Sequence, residues 1–488
     1  MKSMDRRTFL KTSILTAASL STAASWSRVT AQSANVRVRG ANEDIRVAVA
    51  GFGGRGKSHI SGFRELKGVR VVALCDADQN VLDKGVKEFK DRGENIQGYT
   101  DIRKLLENPD IDAVGFATPN HWHALGAIWA AQAGKDSYVE KPLSHNVWEG
   151  RQTVEAARKY NRIIQTGSQC RSSRGLQEAI AWIQAGNLGK ILRARGLCYK
   201  RRASIGKADK PLEIPSSIDY DLWCGPAPKE PMMRKRLHYD WHWVWPTGNG
   251  DLGNQGVHQV DIARWVLGEN ALAPVTLSIG GRLGYEDDGT TPNTQIVYHG
   301  YAKAPLLFEV RGLPISNSNE KMDNYRGAGV GVVIDCEGGY VVNPSYTRAI
   351  AYDKDGNEIK RWDGGGDHYE NFINAVRSRK RTDLTAEAEE GHLSAALCHT
   401  ANLSYQLGKQ LPPEGIRDAV KNNSELGEAL GRMEEHLAAN NVDTKMTPAT
   451  LGALLNMNPK TERFTGNRAA NRMLTRDYRK PFVVPARV

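Results

Sequence analysis

Apolar and polar positions follow two different rhythms along this chain. In the first part, short runs of consecutive apolar residues each give way to a stretch with helical spacing. Examples are IRVAVA beginning at Ile45, VRVVALCDAD with its strand ending at Asp76, and the start of IDAVGFATPNHWHALGAIWAAQAGK. Such runs, separated by amphipathic helices, predict strands buried on both faces of a parallel, doubly wound sheet. DSYVEKPL, from Asp136, supplies one more short strand. From about residue 190 the strand-like stretches lengthen and carry more aromatics, as in ILRARGLCYK, VTLSIGGRL, TQIVYHGY and PLLFEVRG. They predict a larger, open, mostly antiparallel sheet with a few helices, among them HYENFINAVRSRK and EEGHLSAALCHTANLSYQLGK. The expected fold class is therefore α/β, a doubly wound parallel sheet followed by an α/β domain built on a large antiparallel sheet.

The ends depart from both rhythms. Arg6-Arg7, Phe9-Leu10 and Lys11 precede an apolar, small-residue run from Thr12 to Trp26, and VTA, Val29 to Ala31, gives small residues for cleavage. This is the pattern of a twin-arginine export signal over 1–31, the route that carries folded proteins to the periplasm. The run falls short of the roughly 20 apolar residues that a membrane span needs, so the mature form is expected off the membrane. Residues 32–44 read as a linker, 45–166 as the doubly wound domain, 167–411 as the second domain, and 412–488 as a helical and then extended tail packing on the core. A length of 488 residues suits two domains.

Charge and cysteine content narrow the function classes. The formal net charge is +11, but the basic residues are scattered without a block or an aromatic–basic stripe, so no nucleic-acid partner is expected. The six cysteines are widely spaced, with no metal-ligand spacing, and are expected as buried thiols rather than ligands; no metal is expected.

Gly51, Gly53 and Gly56 form GxGxxG between a strand and a helix, with Phe52, Gly54 and Arg55 filling the loop. The first glycine permits the turn, the second lets a pyrophosphate approach, and the third lets helix and strand pack closely. Asp76 ends the next strand, where a carboxylate accepts hydrogen bonds from both ribose hydroxyls and repels a 2′-phosphate. The expected cofactor is NAD, held tightly, in preference to NADP.

GFGGRG, CDAD, ATPNHWHALGAIWAAQAGKDSYVEKPLS and GNGDLGNQGVHQVDIARW together resemble the glucose–fructose oxidoreductase/inositol dehydrogenase (Gfo/Idh/MocA) family, from about Ile45 to the end. The resemblance implies a Rossmann domain, an open-faced α/β substrate domain and action on sugars, inositols or their derivatives. It implies that Thr118, Pro119 and Asn120 border the nucleotide. Glu140, Lys141 and Pro142 match the EKP motif, whose lysine lies near the nicotinamide and the substrate hydroxyl. His258 matches the catalytic histidine. Asn254 stands where many members carry Asp, and an amide cannot accept the hydroxyl proton, so the relay is expected to fall on His258 with Lys141. A homo-oligomer through the exposed sheet face is implied in the same way.

Within LHYDWHWVWPTGNGD, the alternating Trp241, Trp243 and Trp245 fit either a platform for sugar rings or core packing. His242 and Trp243 are taken as substrate contacts, with Tyr199, Arg202 and Arg171, and Gln169 as a cofactor contact. His123, His392 and His399 are read as packing residues.

NAD is not expected free outside the cytoplasm, so folding before export lets the protein carry its cofactor. The sequence points to a periplasmic NAD-dependent oxidoreductase acting on a carbohydrate, at a ring secondary alcohol such as C3. The alternative is a redox glycosidase resembling glycoside hydrolase family 109, in which oxidation, elimination, hydration and reduction follow one another. A third reading is a non-catalytic sugar-binding protein.

Overall fold

The computed structural model describes residues 44–488. The export signal expected over 1–31, and all but the last residue of the linker, lie outside the described residues.

Each apolar run in the first part forms a strand. β1 (Ile45–Ala50), β2 (Val69–Cys75), β3 (Gln97–Tyr99), β4 (Ala113–Phe116), β5 (Asp136–Val139) and β6 (Ile164–Thr166) pair in parallel in the order β3-β2-β1-β4-β5-β6. Helices α1 (Gly56–Arg64), α2 (Gln79–Lys90), α3 (Ile102–Glu107), α4 (His123–Gln132) and α5 (Val147–Lys159) connect them. Their N-terminal caps differ. Asp78, Asp101 and Asn146 each accept a hydrogen bond from the first turn of α2, α3 and α5. Arg55, at the head of α1, provides no side-chain cap. The strand order reverses between β1 and β4, and the carboxyl ends at such a reversal open a crevice for a ligand.

The second sheet contains β7 (Ile191–Tyr199), β8 (Val275–Gly281), β9 (Thr294–Gly300), β10 (Leu306–Arg311), β11 (Val330–Cys336), β12 (Gly339–Asn343), β13 (Arg348–Asp353) and β14 (Glu358–Asp363). They run in the order β14-β13-β12-β11-β7-β10-β9-β8, antiparallel except for the parallel β7–β10 pair. The fold class is the one the two rhythms predict. On one face lie α6 (Arg174–Gln184), α7 (Val257–Leu267) and, across α8 (His368–Ser378) in the chain, α9 (Ala388–Gln406). Val260, Ala263, Phe308, Val332 and Leu397 meet there in one apolar core.

The chain returns to the first sheet twice. Phe372 of α8 packs on Phe63 of α1, ring centroids 6.1 Å apart. Near the C-terminus, Phe482 and Val484 join the core beneath α4. Between these returns, α10 (Pro413–Val420) and α11 (Ser424–Ala439) cover part of the sheet's second face. Ile416, Leu430 and Met433 bury Ile279, Ile296 and Leu307 there. All six cysteines are buried and unpaired. Among the described residues no helix is long and apolar enough to cross a membrane.

Candidate active site

A cavity of about 1050 Å³ occupies the crevice at the strand reversal and continues to α7. The glycine loop forms one wall, and its glycines divide the work. Gly51 takes φ +76°, and a Cβ there would meet the Thr118 backbone at 2.6 Å. A Cβ on Gly56 would lie 2.1 Å from the Gly51 carbonyl oxygen, so α1 sits against the loop. Gly53 and Gly54 have nothing within 4 Å of that position and face the cavity. α1 follows directly with no side-chain cap, the Lys57 and Ser58 N–H groups turning back to the Gly54 and Arg55 carbonyls at 3.1 and 2.9 Å, and the positive end of its dipole suits a pyrophosphate. Phe52 and Gly56 do not line the cavity. The Phe52 ring is buried against Gly85 because the turn at Gly51 aims it into the core behind the loop.

Asp76 stands at the end of β2. Its two oxygens accept the backbone N–H groups of Phe52 and Asp78, both at 3.1 Å, and each retains acceptor capacity toward the cavity. Burial raises its pKa against those two bonds and the nearby His238. Glu140 contacts Arg55 at 3.0 Å and His59 at 3.2 Å. These partners hold its carboxyl well below the usual range despite burial. It therefore works mainly by anchoring Arg55 beside the glycine loop. The ring nitrogens of His123 lie 2.7 and 2.9 Å from the carbonyl oxygens of Pro142 and Thr118, so this histidine braces the wall.

Thr118 Oγ1, Asn120 Oδ1, Gln169 Oε1 and His258 Nδ1 are buried cavity-lining residues' atoms without a hydrogen-bond partner. Buried polar atoms are rarely left unpaired. A nicotinamide carboxamide and its ribose carry the donors and acceptors that would satisfy such a group, so the residues present fit a dinucleotide.

At the other end, Lys141 Nζ donates to the Asn254 carbonyl oxygen at 2.8 Å. Asn254 belongs to a π-helical turn, Leu252–Gly256, that leads into α7. Its amide Nδ2 lies 3.5 Å from Asp251 Oδ1. His258 stands on the first turn of α7, its ring 5.1 Å from that of Tyr346. His242 stacks on Trp241 with centroids 3.6 Å apart. Its Nδ1 meets the Tyr239 carbonyl oxygen, which fixes the proton there and leaves Nε2 as an acceptor. Burial depresses the Lys141 ammonium, with Arg55 and Lys200 adding to that effect and Glu140 and Asp251 opposing it. Burial also carries His242 and His258 down to about 3, so both imidazoles stay neutral.

Four expected substrate contacts lie elsewhere. Tyr199 ends β7 with its side chain on the face covered by α11, where its hydroxyl donates to Glu309 at 2.6 Å. Arg171 is buried between Asp261 at 2.8 Å and Glu390 at 2.9 Å. Arg202 binds Asp251 through two nitrogens and rests on the Trp243 ring, away from the main cavity. Trp243 is itself buried, so the aromatic stripe divides: Trp241 faces the cavity and Trp243 is core. Charge pairing and burial remove all four. His392 and His399 bond Glu462 and the Ser144 backbone, away from the cavity.

The sequence reading passed over Asn249, Gln255 and Tyr346. The first two share the GNGDLGNQGVHQVD motif with Asn254, and that shared turn is the signal that marks them. Tyr346 hydrogen-bonds Gln255 at 2.7 Å from a loop after β12, and nothing in its local sequence marks it.

This arrangement defines a dinucleotide-dependent oxidoreductase. Two family models match the chain: the oxidoreductase family's NAD-binding Rossmann fold over residues 45–168, and its C-terminal alpha/beta domain over 183–305. The chain belongs to the Gfo/Idh/MocA oxidoreductase family, and its cofactor is NAD. It is 33% identical over 171 residues to glycosyl hydrolase family 109 protein 2 of Shewanella sp. (strain ANA-3), covering 32% of this chain and 38% of that protein. It is 38% identical over 122 residues to an alpha-N-acetylgalactosaminidase of Shewanella oneidensis, covering 24% of this chain and 27% of that one. The chain thus matches well under half the length of these curated relatives. Among solved structures, the WlbA dehydrogenase of Bordetella pertussis, in complex with NADH and UDP-GlcNAcA, aligns with TM-score 0.54 at 20% identity over 73% of this chain and 95% of that one. The aldose-aldose oxidoreductase of Caulobacter crescentus aligns with TM-score 0.54 at 17% identity, over 74% and 98%. At these identities the likeness is one of fold.

Proposed function

We propose that the protein is an exported, NAD-carrying oxidoreductase that acts on a secondary alcohol of a sugar or glycoside in the periplasm. The observation that carries this reading is the meeting of Lys141, His258 and the Asn254 carbonyl at the inner end of the dinucleotide cavity. NAD, when bound, supplies reversible two-electron oxidation of the alcohol carbon. The chain must orient the hydroxyl and accept its proton. Lys141 suits the second task. Desolvation favours its neutral amine, one N–H is held by Asn254, and the lone pair is left for a substrate hydroxyl. The imidazoles of His258 and His242 are too desolvated to hold a proton at neutral pH, so they orient hydroxyls. The relay therefore rests on the lysine rather than on the histidine.

Asn254 fits this scheme. It anchors Lys141 through the main chain, which any residue at 254 would supply, and its amide turns toward Asp251. Trp241, Tyr239 and Tyr346 add apolar faces beside these polar groups, a combination suited to a sugar ring. The Arg6-Arg7 export pattern supports the periplasmic setting. Sugar-linked relatives and fold neighbours support the substrate class.

A second reading, a redox glycosidase, is favoured by the family 109 relatives. There the same lysine would serve while oxidation of the ring acidifies a neighbouring C–H and the glycosidic bond leaves by elimination. Product analysis over a panel of free sugars and aryl glycosides separates the two. A keto-sugar supports the oxidoreductase, and a released aglycone without net redox change supports the glycosidase. If neither product forms from any member of the panel, both readings fail.

A further inference from the structure

Between β7 and the π-helical turn, residues 200–250 leave the large sheet and cross to the Rossmann edge. There they form a short antiparallel ladder with the segment after β2. The Gln79 N–H donates to the Ser217 carbonyl at 2.8 Å, and the Asp219 N–H to the Ala77 carbonyl at 3.0 Å, with Asp78 opposite Ile218. Further along, His238 Nε2 lies 2.9 Å from Asp78 Oδ2. The other margin is pinned as well. Trp122 Nε1 donates to the Leu222 carbonyl at 3.0 Å, and Arg479 from the C-terminal tail donates to the carbonyls of Asp221 and Gly225 at 2.7 and 3.0 Å. Between these pins, Pro215, Ile218, Trp223, Met232 and Leu237 line the cavity together with the glycine loop and Asp76.

We infer that residues 200–250 form a strap that retains NAD from one turnover to the next, with the His238–Asp78 pair as its latch. This rests on the proposed reading that the protein works as an NAD carrier. A dinucleotide lying between the glycine loop and the strap leaves only when the ladder opens, and the latch resists that opening. The cofactor then behaves as a prosthetic group, and its redox state must be restored in place by a second substrate or by a later step on the same one. The ladder is the main restraint. The latch pairs a half-exposed His238 with an Asp78 carboxylate only 9% exposed, so it tunes the opening rather than setting it alone.

The test is the exchange of bound NADH for excess NAD⁺, followed by loss of protein-bound NADH fluorescence with no sugar present. Replacing His238→Ala removes an interaction worth at most about 1 kcal/mol, so release should quicken by up to about fivefold. A cross-link supplies the opposite change. Asp78 and Ile218 form a non-hydrogen-bonded antiparallel pair, whose Cα atoms lie about 4.5 Å apart, within disulfide range. In an Asp78→Cys/Ile218→Cys variant, the oxidised form should hold NADH on the order of ten times longer than the same protein reduced. The native cysteines are all unpaired in the fold, whereas the two new thiols lie within bonding range of each other, so mild oxidation joins the new pair. Equal release from the wild type, His238→Ala and both states of the cross-link overturns the strap while leaving NAD binding intact. If the wild type binds no NADH, the underlying reading falls and takes the strap with it.

Discussion

Lys141 shows how position decides chemistry for a residue type that is ordinarily exposed. Its motif is legible in the sequence, but the reason it can accept a proton is not, because that depends on burial and on charges brought from distant segments. Asp251 and Lys200 act on it from the substrate domain, and Glu140 and Arg55 from the Rossmann domain. Replacing Lys141→Met should lower kcat roughly 10²- to 10⁴-fold, with NADH affinity changed far less. The wild-type rate should climb with pH as the amine loses its proton and should level off below the ordinary lysine value near 10.5. A Lys141→Arg variant should lack that limb, because guanidinium does not titrate in this range. A pH–rate profile that is flat in the wild type would instead place the relay on another group. The four misassigned substrate contacts have the opposite history. Arg171, Arg202 and Tyr199 are polar residues in suggestive places, yet each is consumed by a carboxylate contributed from another segment. No local pattern announces such a partner.

Among the elements, the strands were the most legible, because an unbroken apolar run has few alternatives once it is bounded by turns. The glycine loop was legible residue by residue, and the structure separates its glycines by what a side chain would meet. Gly56→Ala would place a Cβ 2.1 Å from the Gly51 carbonyl and should cost on the order of 1–3 kcal/mol of stability, visible as a lower Tm without ligand. Gly53→Ala meets only open space and should leave that Tm nearly unchanged. It should nonetheless weaken NADH binding, because the added methyl occupies the approach of the pyrophosphate. Equal effects of the two substitutions on Tm would contradict this division. The head of α1 completes the element. Where α2, α3 and α5 close their first turns with an Asp or Asn side chain, α1 follows Arg55 with no side-chain cap, which keeps a carboxylate or amide out of the pyrophosphate's approach. The strap was not legible. Residues 200–250 carry no sustained period, and their order comes from backbone pairing with the edge beyond β2 and from tail residues late in the chain.

At the scale of the whole molecule, the tail is what sequence reasoning saw least clearly. Read as a segment packing on the core, it supplies α10 and α11 to one face of the large sheet and Phe482 to the Rossmann core. The resemblance implied subunit contacts on the sheet's exposed face, and the chain's own helices occupy part of that face. Beneath them Arg195 is fully buried and bonded to Glu309 at 2.6 Å, a pair that burial alone would disfavour and that Glu428 helps to satisfy. The same depth of burial governs the response of the molecule to acid. His121, His299 and His399 are buried, and desolvation carries each down to about 3. Their folded values lie below the unfolded value of 6.5, so the unfolded chain binds more protons between those limits. The stability they contribute is complete above pH 6.5 and is lost as pH falls toward 3. At pH 5 each such imidazole should already have surrendered about 2 kcal/mol. Denaturant unfolding should therefore show a steep drop in stability between pH 6.5 and 4, before most carboxylates titrate. Replacing His299→Asn should reduce the steepness of that drop while lowering stability at pH 7, since the Thr276 contact at 3.0 Å is altered. An unfolding free energy that stays level from pH 7 to pH 5 would mean that these imidazoles gain protons in the folded state, through water or motion reaching the core.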